Sequence, residues 1–194
     1  GPDILTSIEN LIGSDFADVL TGNQLNNLLR GGSGNDTLNG GSGNDQLEGQ
    51  AGIDQLLGAD GNDLLLFDSL DSLINGAGGI DTARLLKPTG PLTFNLTSTK
   101  IDVLDVSQST FANILNASGA SWPVTILGGD GNDTITGGNG NDSLLGGGGA
   151  DSLLGNKGND LLNFDNLDSI LGGAGTDSAV ISGATGGVNL NLVR

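Results

Sequence analysis

The chain has 194 residues, 36 of them glycine, and contains no cysteine, histidine, methionine or tyrosine. Aromatic residues make up 3%, which argues against a core of large side chains, and the missing cysteines exclude disulfide staples and thiolate metal sites. Acidic residues outnumber basic ones 23 to 6, giving a net charge of −17 that disfavours nucleic acid and anionic membranes and favours cations.

Gly1-Pro2 reads as the remnant of a cleaved tag, with the natural start expected upstream. Residues 1–12 form a lead-in strand, ending in Ser7-Ile8-Glu9-Asn10-Leu11-Ile12. A nine-residue phrase then begins, clearest as Gly31-Gly32-Ser33-Gly34-Asn35-Asp36-Thr37-Leu38-Asn39 and again from Gly40 to Glu48. Counting in nines extends this first array over residues 13–84. Its sixth places are Asp18, Asn27, Asp36, Asp45, Asp54, Asp63, Ser72 and Asp81. Its eighth places are aliphatic, among them Leu38, Leu47, Leu56 and Leu65. A fixed period of this kind signals stacked repeats.

Residues 85–127 lose the motif. Lys87-Pro88-Thr89-Gly90-Pro91 reads as a loop, while Leu92–Leu96, Ile101–Val106 and Val124–Leu127 suit strands. This bridging segment is expected to be β structure, either a metal-free solenoid or a sandwich. The second array spans 128–181, with sixth-place aspartates 133, 142, 151 and 160. Phe164–Leu171 is one residue short, and Gly172–Val180 restores the motif with Asp177. Phe67-Asp68-Ser69-Leu70-Asp71-Ser72 matches Phe164-Asp165-Asn166-Leu167-Asp168-Ser169, so the arrays are copies of a larger unit. Phe67 and Phe164 are expected to pack against these degenerate turns. Residues 182–194 close with a terminal strand at Val188–Leu192. No segment approaches the roughly 20 apolar residues that span a bilayer.

The motif has a chemical logic. Glycines at the first, second and fourth places let successive carbonyls converge on a point, and the sixth-place aspartate adds a charged oxygen. Such all-oxygen ligation at irregular angles suits calcium better than magnesium, zinc or copper. A lone Asp-Gly-Asn-Asp would be a solvated turn. Aspartates held in register through two arrays are different evidence.

On these repeats the chain resembles the RTX, or haemolysin-type, calcium-binding proteins. The resemblance implies an all-β fold: a parallel β-roll, or β-solenoid, with two calcium-binding arrays joined by the motif-free segment. Each nonapeptide is then half a coil, and each unit stacks on the one two places on. It further implies that one unit supplies its second and fourth carbonyls and its aspartate. The unit above supplies its first and third carbonyls and its own aspartate. Carried over, Gly32, Gly34 and Asp36 meet Gly49, Ala51 and Asp54. Gly41, Gly43 and Asp45 meet Gly58, Asp60 and Asp63. Gly129, Gly131 and Asp133 meet Gly146, Gly148 and Asp151, and Gly138, Gly140 and Asp142 meet Gly155, Lys157 and Asp160.

Asp81 and Asp177 stand near the array ends, where sites are expected to be weaker or empty. Departures from the pattern are Gln50, Ala59, Ala77 and Asn156 at second places, Asn27 opposite Asp45, and Ser72 opposite Asp54. The residue missing from 164–171 puts a site joining Asp160 to Asp177 in doubt. About four to eight ions are expected in all.

The resemblance implies a non-catalytic structural module of a larger secreted bacterial protein, exported unfolded and folding on extracellular calcium. It implies flanking domains, while the acidic balance and the lack of a long apolar segment argue against a nucleic-acid partner and membrane insertion. Two other readings differ in class. A calcium-binding part of a secreted enzyme would need its catalytic domain elsewhere, because a chain without histidine carries no serine–histidine or zinc-protease site. A ligand-binding adhesin or surface-layer segment would need a binding surface, for which Trp122 is the sole tryptophan.

Overall fold

The computed structural model describes residues 8–184. The proposed strand at Val188–Leu192, the start of the lead-in and the end of the terminal segment lie outside those residues. Every regular element described is a strand, and no helix is long and apolar enough to cross a membrane.

In chain order the first strands are β1 (Asn10–Ile12), β2 (Val19–Thr21), β3 (Leu28–Ser33), β4 (Thr37–Ser42) and β5 (Gln46–Ala51). There follow β6 (Gln55–Asp60), β7 (Leu64–Phe67), β8 (Leu73–Gly78), β9 (Thr82–Leu85), β10 (Thr93–Asn95) and β11 (Val103–Asp105). Next come β12 (Ile114–Asn116), β13 (Thr125–Gly129), β14 (Thr134–Thr136) and β15 (Ser143–Gly147). The last are β16 (Ser152–Lys157), β17 (Leu161–Phe164), β18 (Ser169–Ala174) and β19 (Ser178–Ile181).

The chain divides into two compact units. One runs up to Thr89 and includes Ser98–Asp105; the other comprises Gly90–Thr97 and the chain from Val106 onward. In the first unit the strands order as β1-β3-β5-β7-β9-β11 and β2-β4-β6-β8. In the second they order as β13-β15-β17-β19 and β10-β12-β14-β16-β18. Pairing is parallel, and each strand pairs with the one a full coil further on, as in Leu29↔Leu47 and Leu38↔Leu56. Each unit is therefore a parallel β-solenoid whose two sheets are visited alternately, in agreement with the β-roll. The bridging segment takes the solenoid alternative: β9 pairs with β11, and β10 with β12, in the same parallel manner.

Why these residues form strands follows from the last three places of the repeat. In Thr37-Leu38-Asn39 the middle side chain points inward and its neighbours point out, the period-two pattern of a half-buried strand. Leu29, Leu47 and Leu65 on one sheet face Leu38, Leu56 and Ile74 on the other, all at or near zero exposure. In the second unit Ile126, Leu144 and Leu162 face Leu115, Ile135 and Leu153. Phe67 and Phe164 are buried. The first six places of each repeat make the turns between sheets, and the aspartates lie there.

Candidate metal centres

Each sixth-place aspartate has two oxygens with different surroundings. The Oδ1 atoms accept backbone N–H groups from the coil below: Asp36 N donates to Asp54 Oδ1 at 2.7 Å and Asp45 N to Asp63 Oδ1 at 2.8 Å. In the second array Asp133 N donates to Asp151 Oδ1 and Asp142 N to Asp160 Oδ1, at 2.8 and 2.9 Å. The four aspartate pairs expected from the repeat are thus brought together. Asp160 also meets Asp177, whose Oδ1 accepts its N–H at 3.0 Å despite the missing residue.

The Oδ2 atoms differ. Those of Asp36, Asp45, Asp54, Asp63, Asp81, Asp151 and Asp160 are buried with no hydrogen-bond partner. At about 1–3 kcal/mol for each buried unpaired polar atom, seven such oxygens cost as much as the whole stability of a typical domain, about 5–15 kcal/mol. Protein groups supply no partner to these oxygens.

The space in front of each Oδ2 is kept open by the first-place glycine. A Cβ on Gly31 would stand 2.2 Å from Asp36 Oδ2 and 2.7 Å from Gly49 O. At Gly40 the same point lies 2.3 Å from Asp45 Oδ2 and 2.7 Å from Gly58 O, and at Gly155 it lies 2.3 Å from Asp160 Oδ2 and 2.4 Å from Gly172 O. An own-turn carboxylate oxygen and the first-place carbonyl of the coil above therefore converge on one small space. A hard cation fits that donor set. Among the described residues no group of three or more His, Cys, Asp or Glu side chains that could hold a metal occurs. The third-place carbonyls of Ala51 and Asp60 also accept N–H groups from Gly34 and Gly43, at 2.8 and 2.9 Å.

Whether Oδ2 is left bare follows the backbone at the second place. Gly32, Gly41, Gln50, Ala59, Ala77, Gly147 and Asn156, the second residues of the seven turns, all have positive φ. Gln50, Ala59, Ala77 and Asn156, at φ 72–78°, thus hold the left-handed conformation that their departure from glycine makes costly. Gly129 and Gly138 do not adopt it, and their N–H groups donate to Asp133 and Asp142 Oδ2 at 2.9 and 2.5 Å. Asp18 and Asn27 are closed in the same way by Ser14 N and Asn23 N.

Burial pushes the carboxyl groups of Asp45, Asp54, Asp63, Asp81, Asp133, Asp142, Asp151 and Asp160 above the ordinary range. Asp81 and Asp151 reach about 6, with repulsion from neighbouring aspartates adding to desolvation. The fifth-place asparagines form a second ladder outside this row. Ile53 N, Asn62 N and Ile80 N donate to Asn35, Asn44 and Asn62 Oδ1, at 2.8–3.0 Å.

Several participants are invisible to the nine-residue count. Asp71, not Ser72, stands opposite Asp54: its Oδ1 accepts Asp54 N at 3.0 Å, and Asp168 Oδ1 likewise accepts Asp151 N at 2.8 Å. Ser72 bonds the carbonyl of Asp54 instead. From the bridging segment, Asp102 Oδ2 accepts Asp81 N, while Asn113 donates to Asp133 Oδ1. The shared Phe-Asp-x-Leu-Asp phrase was the available signal for Asp71 and Asp168.

A family model described as the RTX calcium-binding nonapeptide repeat (4 copies) matches residues 12–47, 40–69 and 127–162. No curated protein matches the chain.

Proposed function

Because this chain carries RTX calcium-binding nonapeptide repeats, we propose that it is a non-catalytic structural module of a larger secreted protein, folding when it meets external calcium. The observation that carries this reading is the set of buried, unpartnered Oδ2 atoms, each facing a space cleared by glycine. In the first array Gly32, Gly34 and Asp36 with Gly49, Ala51 and Asp54 would hold one ion. Gly41, Gly43 and Asp45 with Gly58, Asp60 and Asp63 would hold the next. Asp81 extends this row. In the second array Gly146, Gly148 and Asp151, and Gly155, Lys157 and Asp160, offer bare carboxylates, and Asp177 would extend that row.

Gly129, Gly131 and Asp133, and Gly138, Gly140 and Asp142, must break a hydrogen bond to receive an ion. They therefore fill last. Without ions, buried aspartates in register lack both solvation and partners, and the narrow aliphatic core does not offset chain entropy. With ions, binding free energy becomes folding free energy. An unfolded chain in low calcium and a folded one outside the cell is the behaviour that suits an exported protein. The absence of histidine, cysteine and tyrosine supports a structural role over a catalytic one.

Circular dichroism of the metal-free chain, followed through a calcium titration, tests this. The expected outcome is a largely disordered chain that converts cooperatively to β structure at millimolar calcium, with about four to eight ions bound. Magnesium at equal concentration is expected to substitute poorly. A spectrum that does not change between chelator and excess calcium would overturn the reading.

A further inference from the structure

The degenerate turns, which lack the glycine motif, adjoin two of the bare carboxylates. Above Asp54 lies Phe67–Ser72, and above Asp151 lies Phe164–Ser169. At a regular site the coil above contributes its first-place carbonyl. Here that place is phenylalanine, and its carbonyl is already engaged: Leu86 N donates to Phe67 O at 2.7 Å and Ser182 N to Phe164 O at 2.8 Å. Asp54 is nonetheless fully buried and Asp151 is 2% exposed, each with Oδ2 unpartnered. Those oxygens face the same cleared space, 2.4 Å from a Cβ on Gly49 and 2.2 Å from one on Gly146. Something other than a first-place carbonyl must complete these two places.

The degenerate turn brings a carboxylate. Asp71 spans two backbone groups with its two oxygens, Oδ1 accepting Asp54 N at 3.0 Å and Oδ2 accepting Asp68 N at 2.8 Å. One carboxylate thus bridges the backbone N–H groups of Asp54 and Asp68. Asp168 does the same for Asp151 and Asp165, at 2.8 and 2.7 Å. Asp68 and Asp165 each use Oδ1 to accept an N–H two residues on, from Leu70 and Leu167 at 2.7 Å, leaving Oδ2 over. Asparagine would make that turn equally well. Yet both copies carry aspartate, while the adjoining residue is serine in one and asparagine in the other.

The geometry points to a second kind of cation site in this chain, formed by Asp54 with Asp68 and by Asp151 with Asp165. In it a side-chain carboxylate replaces the missing first-place carbonyl. Asp71 and Asp168, with both oxygens engaged, are positioning residues. The ligand is a hard divalent cation, calcium on the reading above, on which this inference rests. Exchanging a neutral carbonyl for a carboxylate adds a negative charge to the ligand set, which tightens calcium binding. The degenerate turns then continue the ion rows instead of ending them.

Asp68→Asn and Asp165→Asn, made singly, test this, because asparagine keeps an oxygen for the Leu70 or Leu167 N–H and removes only the charge. Calcium titration by calorimetry is expected to show one site per variant weakened at least about tenfold, with a wild-type circular dichroism spectrum at saturating calcium. Crystals grown in calcium supply a second measurement if either variant fails to fold: ion density is expected bonded to Asp54 Oδ2 and Asp68, and to Asp151 Oδ2 and Asp165. Wild-type calcium binding with unaltered variant affinities, or ions at the regular sites but none at Asp54 and Asp151, overturns this inference and leaves the calcium module standing. A wild-type chain that binds no calcium overturns both.

Discussion

At the scale of single residues, the sixth-place aspartate and first-place glycine act as one device. One supplies a bare oxygen, and the other keeps the space before it empty. Gly31→Ala would put a methyl group 2.2 Å from Asp36 Oδ2 and 2.7 Å from Gly49 O, both closer than nonbonded atoms approach. Filling that space is expected to abolish one calcium site and raise the calcium midpoint of folding. Gly90→Ala, where nothing lies within 4 Å, is the matched control. Equal midpoints for the two variants, measured by circular dichroism, would show that the space is not where the ion binds.

The same carboxylates set a pH dependence for the metal-free chain. Burial raises Asp81 and Asp151 to about 6, whereas in an unfolded chain an aspartate titrates near 4. Folding without metal therefore takes up protons between those values. The stability gained is complete below about pH 4 and is lost as the pH rises through about 6. Metal-free protein is thus expected to hold more β structure at pH 4 than at pH 7.5, as followed by circular dichroism. A β content that rises with pH would mean these groups are solvated.

At the scale of elements, each coil is specified by its strands and adjusted by its turns. The strands were legible in the sequence because one aliphatic residue in nine must reach the core between two sheets. Leu38, Leu47, Leu56 and Leu65 all do. The turns were legible only where a full motif sits on another full motif. Asp71 and Asp168 escape the count because each lies 17 positions, not 18, from the residue whose N–H it accepts; in the first array the strands return to a spacing of 18 at Gln55↔Leu73, and in the second they keep 17 at Ser152↔Ser169. Gly129 and Gly138 read like any other second-place glycine yet have a different backbone. The coils beneath them turn through Val106–Ser109 and Ala117–Ala120, each closed by an N–H to carbonyl bond of 2.8 Å. A turn resting on that shape closes on its own carboxylate, and no local pattern announces it.

At the scale of the whole chain, this difference separates the two arrays. Bare carboxylates start at Asp36 in the first but only at Asp151 in the second. Calcium is therefore expected to bind in two stages, with Asp133 and Asp142 occupied after the rest. Asp45→Asn should remove an early-filling site, while Asp142→Asn should alter only the late stage of a calorimetric titration. Identical changes in both variants would show that the closed turns open without cost. Among the described residues Arg30 pairs with Glu48 at 3.1 Å and Arg84 with Asp105 at 2.8 Å, both partly exposed and each worth little beside a bound divalent ion.

The spacing of the hydrogen bonds has a mechanical consequence. Within each unit, ladder bonds join residues one coil apart, 17 to 21 positions along the chain. No strand is inserted between two already paired, so the chain never has to thread past itself. Tension applied to one end of such a stack loads only the outermost coil, and the next feels it after the first has let go. Each coil of 18 residues would lengthen the chain by about 60 Å when it parts, at roughly 3.3–3.6 Å per residue. The module then behaves as a series of small fuses, yielding one at a time and able to re-form from whichever coil still holds.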